Sequence, residues 1–235
     1  MIDYITKLCS IICDISYITE KKERFEAFKN LKLDIIYNVE NSRGLNGFHV
    51  KKKFTNFLVF RGTEYCRKDI FTDLKFFKIS PYYDQSIKLH TGFYNCYIND
   101  KTNLKLREHC KTLYELVITG HSLGGAMATI CAFDLARLYP YLKIKVITFG
   151  SPRVGNKNFF KSYNSLENIT HYRYETTYDP IPRIPYFGYY HVGLGIICHE
   201  DCFQFVYKDR NSIFSKWIIK DHYITNYIDK IKKIV

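Results

Sequence analysis

Ser122 stands between Gly120-His121 and Leu123-Gly124-Gly125, a spacing that can turn a serine hydroxyl into a nucleophile. The residues before it, Tyr114-Glu115-Leu116-Val117-Ile118-Thr119, read as a short buried strand, and residues 126–133 read as a tightly packed helix. A serine on so sharp a strand-to-helix turn needs glycine neighbours, because side chains there would clash with adjacent backbone. The following helix aims its free N–H groups and partial positive charge at the same point. A serine hydroxyl is a weak nucleophile at neutral pH, so it needs a histidine base and a carboxylate that fixes the histidine's tautomer. On a strand–elbow–helix scaffold those partners follow in the order acid, then base.

Asp179 fits the acid, since it follows a strand-like stretch at 170–175 and opens Asp179-Pro180-Ile181-Pro182-Arg183-Ile184-Pro185, a loop stiffened by three prolines. His191, His199 and His222 remain for the base, and late placement in Asp221-His222-Tyr223 favours His222 over His191, which is left a structural role. His121 is expected to sit beneath the serine and steady the turn, and His90 to pack near the site. The developing oxyanion needs two donors, one of them the backbone N–H after the nucleophile, here Leu123. The other must come from an earlier loop, where Thr63 closes Val59-Phe60-Arg61-Gly62-Thr63.

These residues need a scaffold. Strand patterns occur at 33–37, 47–52, 56–60, 87–90, 114–119, 143–149, 170–175 and 202–207, and helical patterns at 4–29, 95–112, 124–139, 156–166 and 222–233. Their interleaving predicts an α/β fold with a mostly parallel central sheet and helices on both faces. The run of hairpin-like strands before residue 60 predicts that the first part of the sheet is antiparallel.

The 235 residues, 46% of them hydrophobic, are enough for one sizeable core, and no linker, repeat or long charge block divides 1–235 into more than a single domain. No apolar run reaches the length of a membrane span. Residues 1–15 read as a docked amphipathic helix and not as a secretion signal, which favours an intracellular location. The net charge of +12 comes from basic residues scattered along the chain without a nucleic-acid motif, so no nucleic-acid partner is expected, whereas an anionic membrane surface remains a candidate partner. The eight cysteines are expected to be mostly buried thiols, since a core of this size needs no disulfide framework. Cys198-His199-Glu200-Asp201-Cys202 resembles half a metal site but lacks a second ligand pair, so no metal is expected. Asn168-Ile169-Thr170 is a glycosylation sequon.

Six motifs in order, Phe60-Arg61-Gly62-Thr63-Glu64, His90-Thr91-Gly92-Phe93, the GHSLGGAMA run at 120–128, the TFGSPRVGN run at 148–156, DPIPRIP at 179–185 and Asp221-His222, resemble those of the class 3, or fungal-type, lipases. The likeness spans roughly residues 55–225. It implies an α/β-hydrolase fold, with Ser122 as nucleophile, Asp179 as acid, His222 as base, and Thr63 with Leu123 as oxyanion donors. It also implies hydrolysis of lipid esters such as acylglycerols without metal or organic cofactor. Phospholipid deacylation and short-ester hydrolysis are the alternatives within the class, and a catalytically silent lipid- or protein-binding module is the alternative outside it. The chain departs from many members at Ile70-Phe71-Thr72-Asp73-Leu74, where they carry a tryptophan. The aromatic and basic segment 65–83 is expected to cover the site.

Overall fold

Alternate residues of the central strands face two different cores, which is why the strands read as unbroken apolar runs. Leu58 and Phe60 pack into one core while Phe57 and Val59 enter the other, and Ile144 and Val146 oppose Ile147 and Phe149 in the same way. The computed structural model describes residues 3–62, 77–81, 84–206 and 218–233. The strands are β1 (Asp34–Glu40), β2 (Asn46–Lys52), β3 (Thr55–Phe60), β4 (Lys78–Ile79), β5 (Leu89–His90), β6 (Glu115–His121), β7 (Lys143–Phe149), β8 (Ile169–Thr176), β9 (Leu194–Cys198) and β10 (Phe203–Val206). Eight of them form one sheet in the order β1-β2-β3-β6-β7-β8-β9-β10, and β4 pairs with β5. The pairs from β3 through β9 are parallel, and β1-β2-β3 and β9-β10 are antiparallel, so the expected antiparallel opening is present.

Helices cover both faces. α1 (Tyr4–Ser16) and α2 (Lys21–Asn30) pack on one side together with the last helix, while α3 (Thr91–Ile98), α4 (Thr102–Cys110), α5 (Leu123–Leu138) and α6 (Lys157–Asn164) pack on the other. The last helix is α7 (Ile224–Lys233). α1 is the docked helix expected from its sequence, with Leu8, Ile12 and Ile15 buried and Asp3 capping it by accepting the Thr6 N–H at 2.9 Å.

Two expected helices are each broken in two. The first ends before Tyr17-Ile18-Thr19, where Arg24 donates to the Ile18 carbonyl at 2.7 Å and fixes a turn. The second breaks at Asp100 and Lys101, whose φ angles are +52° and +58°, and Asp100 accepts the Ser42 N–H at 2.6 Å. An Asp tolerates this left-handed backbone better than most residues, and with Asp100 held by Ser42 from across the fold the helical ladder cannot pass through it. Strand β9 has no counterpart among the sequence patterns, because its interior glycine and the Tyr/Gly-rich residues before it weaken a strand reading. A Cβ at Gly195 would stand 2.9 Å from Arg173 Nη2 and 3.2 Å from the Val206 Cβ, so a side chain there would displace the buried guanidinium.

Asn168 of the sequon is a structural residue. Its Nδ2 donates to the Ala136, Tyr139 and Leu142 carbonyls at 3.1, 3.2 and 3.1 Å, closing the C-terminal end of α5 against the start of β8.

Candidate active site

The C-terminal ends of the parallel strands bring the serine, the carboxylate and the histidine together. Ser122 lies between β6 and α5 with φ +58° and ψ −128°, a conformation rare for any residue but glycine. The flanking glycines make this turn possible: a Cβ at Gly120 would strike the Gly124 carbonyl, and one at Gly124 would strike the Phe60 carbonyl. The Ser122 N–H is anchored to the Phe149 carbonyl at 2.9 Å, which ties the elbow to the end of β7.

His222 ends the 3-10 turn Ile219–His222 just before α7. Its Nε2 stands 2.8 Å from Ser122 Oγ and its Nδ1 2.8 Å from Asp179 Oδ2. A carboxylate only accepts, so the Nδ1–H donates to Asp179 and the Nε2 lone pair faces the serine hydroxyl. Asp179 is fixed in turn. Its Oδ1 accepts the Ile181 N–H at 2.8 Å, and its Oδ2 also accepts the Tyr227 hydroxyl at 2.5 Å. Ser122, Asp179 and His222 are 0, 1 and 2% exposed, so the hydrogen-bonded chain is shielded from competing water.

His121 lies under the elbow as expected, but its partners reach further than the turn. Its Nε2 is 2.6 Å from the His222 carbonyl and its Nδ1 is 2.8 Å from the Tyr17 hydroxyl. The carbonyl requires a proton on Nε2, so the Tyr17 O–H donates to Nδ1 and the ring is neutral. Burial, reinforced by the neighbouring His222, holds His121 well below the ordinary histidine pKa, in agreement with that tautomer. Tyr17 and Tyr227 are site residues that sequence reasoning missed; nothing marks them out among 21 tyrosines.

The other expectations sort by position. His191 is buried with Nε2 2.5 Å from the Pro182 carbonyl, a structural contact that pins the loop after Asp179. Arg183 reinforces the same loop by donating to the Thr177 carbonyl at 2.8 Å, and Arg153 donates to the Arg183 carbonyl. His90 caps α3, accepting the Phe93 N–H at 3.4 Å and stacking on that ring. Leu123 is the first residue of α5, so its N–H is one of those a helix start leaves without an intrahelical acceptor. Thr63 lies outside the described residues, as do Tyr65–Phe76, Tyr82 and Tyr83 of the expected cover.

Cys9, Cys13, Cys110, Cys131 and Cys198 are buried free thiols, Cys96 is half-buried and Cys202 exposed, whereas Cys66 lies outside the described residues. His199 of the half metal motif bonds Thr177 and Gln204, and among the described residues no three His, Cys, Asp or Glu side chains gather to hold a metal ion.

The sequence matches the family Lipase (class 3) over residues 57–189. A lipase of Rhizopus oryzae is 36% identical over 163 residues, covering 63% of this chain and 40% of that protein. A secreted mono- and diacylglycerol lipase of Fusarium solani is 37% identical over 112 residues, covering 45% of this chain and 32% of that protein. The aligned stretch thus spans less than half the length of these curated relatives. Among solved structures, a triacylglyceride lipase of Rhizomucor miehei superposes with a TM-score of 0.79 at 25% identity, covering 97% of this chain and 94% of that chain. The expectation of an intracellular location is corrected by these comparisons, because relatives such as the Fusarium enzyme are named as secreted. Its basis was the reading of the first residues as a docked helix, and α1 is indeed docked; a docked helix carries no information about compartment. The central sheet with helices on both faces is an α/β-hydrolase fold, and the chain belongs to the class 3 lipase family.

Proposed function

We propose that the protein hydrolyses carboxylic esters of lipids, acylglycerols foremost, through an acyl-enzyme on Ser122. The observation that carries this reading is the unbroken chain Ser122 Oγ–His222 Nε2 and His222 Nδ1–Asp179 Oδ2, both links 2.8 Å, with the serine on a left-handed backbone. His222 takes the hydroxyl proton as Oγ adds to the acyl carbonyl, and Asp179 stabilises the imidazolium that forms. The oxyanion is met by the Leu123 N–H and, on sequence grounds, by Thr63. The imidazolium returns its proton to the departing alcohol. Water then adds to the acyl-enzyme with His222 again as base, releasing the acid and restoring Ser122. None of these steps calls on a metal or organic cofactor.

The names of a mono- and diacylglycerol lipase and a triacylglyceride lipase among the similar proteins support acylglycerols over phospholipids and short esters as substrate. The reading treats residues 1–235 as one catalytic domain around one sheet, with an anionic lipid surface as its second partner. Because Ser122 is fully buried, an ester reaches it only when the site opens. The test is a panel of tri-, di- and monoacylglycerols, phospholipids and short soluble esters, with Ser122→Ala as control. Loss of a triad nucleophile in a serine protease costs about 10⁶-fold in rate, and a comparable fall is expected here with the melting curve unchanged. Turnover retained by Ser122→Ala, or a wild-type serine inert to an active-serine phosphonate, would return the chain to a lipid- or protein-binding module.

A further inference from the structure

Four exposed aromatic side chains stand on segments that continue from the strand ends and loops carrying the catalytic chain. Phe187 is 78% exposed, Phe77 68%, Phe160 38% and Tyr190 36%. The segments that carry them are tied together: the Tyr190 N–H donates to the Gly155 carbonyl at 2.8 Å, the Tyr189 hydroxyl donates to the Phe77 carbonyl at 3.2 Å, and the Phe160 and Tyr190 rings lie 6.4 Å apart. They also join the site. Gly150, at the end of β7, packs against both Asp179 and His222, and four residues on Val154 accepts the His90 N–H at 2.8 Å while Arg153 donates its N–H to the Ile184 carbonyl at 2.9 Å. In α6 the core claims Phe159 and Tyr163, which leaves Phe160 on the outer face.

The charges among these aromatics are mostly positive. Lys157 and Lys161 flank Phe160 on the exposed side of α6, Lys88 is exposed, and Lys78 Nζ lies 4.3 Å from the Tyr189 ring centroid. Across 77–81, 84–90, 154–161 and 184–191 the basic residues are Lys78, Lys88, Lys157 and Lys161, against the single acid Asp84, while Arg153 is buried on backbone carbonyls and takes no part. Exposed rings beside amines, with almost no carboxylate, match a headgroup layer: the rings enter the acyl boundary and the amines meet phosphates.

We propose that this aromatic and lysine patch is a fixed anchor that docks the protein on an anionic lipid surface. The proposal rests on the lipid-ester reading and specifies its partner. It uses none of residues 63–76, so the anchor acts whether or not a cover moves. Docking here sets the rim of the Ser122 site against the lipid from which an ester would be drawn.

The test uses the full chain carrying Ser122→Ala, so that binding is read without hydrolysis. Co-sedimentation is measured with phosphatidylcholine vesicles, with and without phosphatidylglycerol, over a series of salt concentrations. Binding is expected to need the anionic lipid and to weaken with salt. Phe160→Ser with Phe187→Ser should lower partitioning by about tenfold or more. Lys157→Gln with Lys161→Gln should lower it by about fivefold per lysine on anionic vesicles and leave phosphatidylcholine unaffected. The same substitutions with Ser122 intact should leave hydrolysis of a dissolved short ester within about twofold of wild type, because none touches the catalytic chain. Equal binding to both vesicle types, or full binding by both double variants, overturns the anchor. A concentration-dependent dimer that Phe187→Ser abolishes, without vesicle binding, reassigns the patch to a second copy of the chain. Absence of soluble-ester hydrolysis in the wild type counts against the catalytic reading alone, since binding is scored on a protein that cannot turn over.

Discussion

Asp179 Oδ2 accepts two hydrogen bonds, one from His222 Nδ1 and one from the Tyr227 hydroxyl. The second bond, together with the Ile181 N–H on Oδ1, fixes the carboxylate in the orientation that holds the His222 ring against Ser122. Tyr227 is a positioning residue whose own proton is tightly held, its pKa raised well above the usual tyrosine value by burial and then by the neighbouring Asp179. Tyr227→Phe removes a bond to a charged group, about 1.5–3 kcal/mol in typical cases, and should therefore lower kcat by roughly ten- to a hundredfold with KM little changed. The split between kcat and KM decides: a lower melting temperature with kcat unchanged would make Tyr227 merely structural. The three side chains that the structure joins by hydrogen bonds were legible, since triad order and a proline-rich acid loop restrict the choices after Ser122 to a few. Tyr227 and Tyr17 were not, because a donor that reaches the site from α7 or from the end of α1 is set by tertiary packing and leaves no local pattern.

At the scale of the element, the sheet is readable where an apolar run is long and not interrupted by glycine. β3 and β7 carry no glycine and β6 carries Gly120 only at its elbow end, whereas the five-residue β9 carries Gly195 and escapes the sequence patterns. The long helices read as continuous because apolar spacing persists across their breaks; the first break is fixed by Arg24 reaching back to the Ile18 carbonyl, and the second by Asp100, whose partner Ser42 lies across the fold. Asn168 illustrates the same limit, since a sequon marks a glycan acceptor yet this Nδ2 is spent on three carbonyls at the end of α5. Asn168→Ala strands carbonyls that water reaches only in part, a loss of about 1–3 kcal/mol. For a chain of this size that corresponds to a fall of roughly 3–10 °C in Tm, with esterase activity retained below the transition. Scanning calorimetry and an activity assay check both parts, and an unchanged Tm would mean that solvent replaces the side chain without cost. A second outcome concerns modification: expression in glycosylating cells should leave Asn168 bare in the folded protein, as intact-mass analysis would show.

The whole molecule depends on histidines buried without charge. Burial lowers His49 to about 4 and His171 to about 3, and it holds His121 and His191 well below the ordinary value of 6.5. Their contacts fit the neutral form. His49 Nδ1 meets His109 Nε2 at 2.6 Å, a pairing that requires one ring to accept, and His171 lies between the Tyr163 and Thr148 hydroxyls at 2.9 and 3.2 Å. In the unfolded chain each ring titrates near 6.5, so below that pH the unfolded state binds protons that the native state refuses. Stability from these groups is therefore complete above pH 6.5 and declines as pH falls, until each group reaches its folded pKa at about 4 for His49 and about 3 for His171. The slope is at most about 1.4 kcal/mol per pH unit for each histidine. Tm should thus fall steadily from pH 7 toward pH 4, with unfolding accompanied by proton uptake that calorimetry in buffers of different ionisation enthalpy can count. His49→Gln, which keeps a polar side chain facing Asn56 and His109, should reduce that uptake by close to one proton at pH 5 and flatten the Tm profile accordingly. An uptake identical in wild type and variant would show that His49 titrates alike in both states and plays no part in the acid sensitivity of the fold.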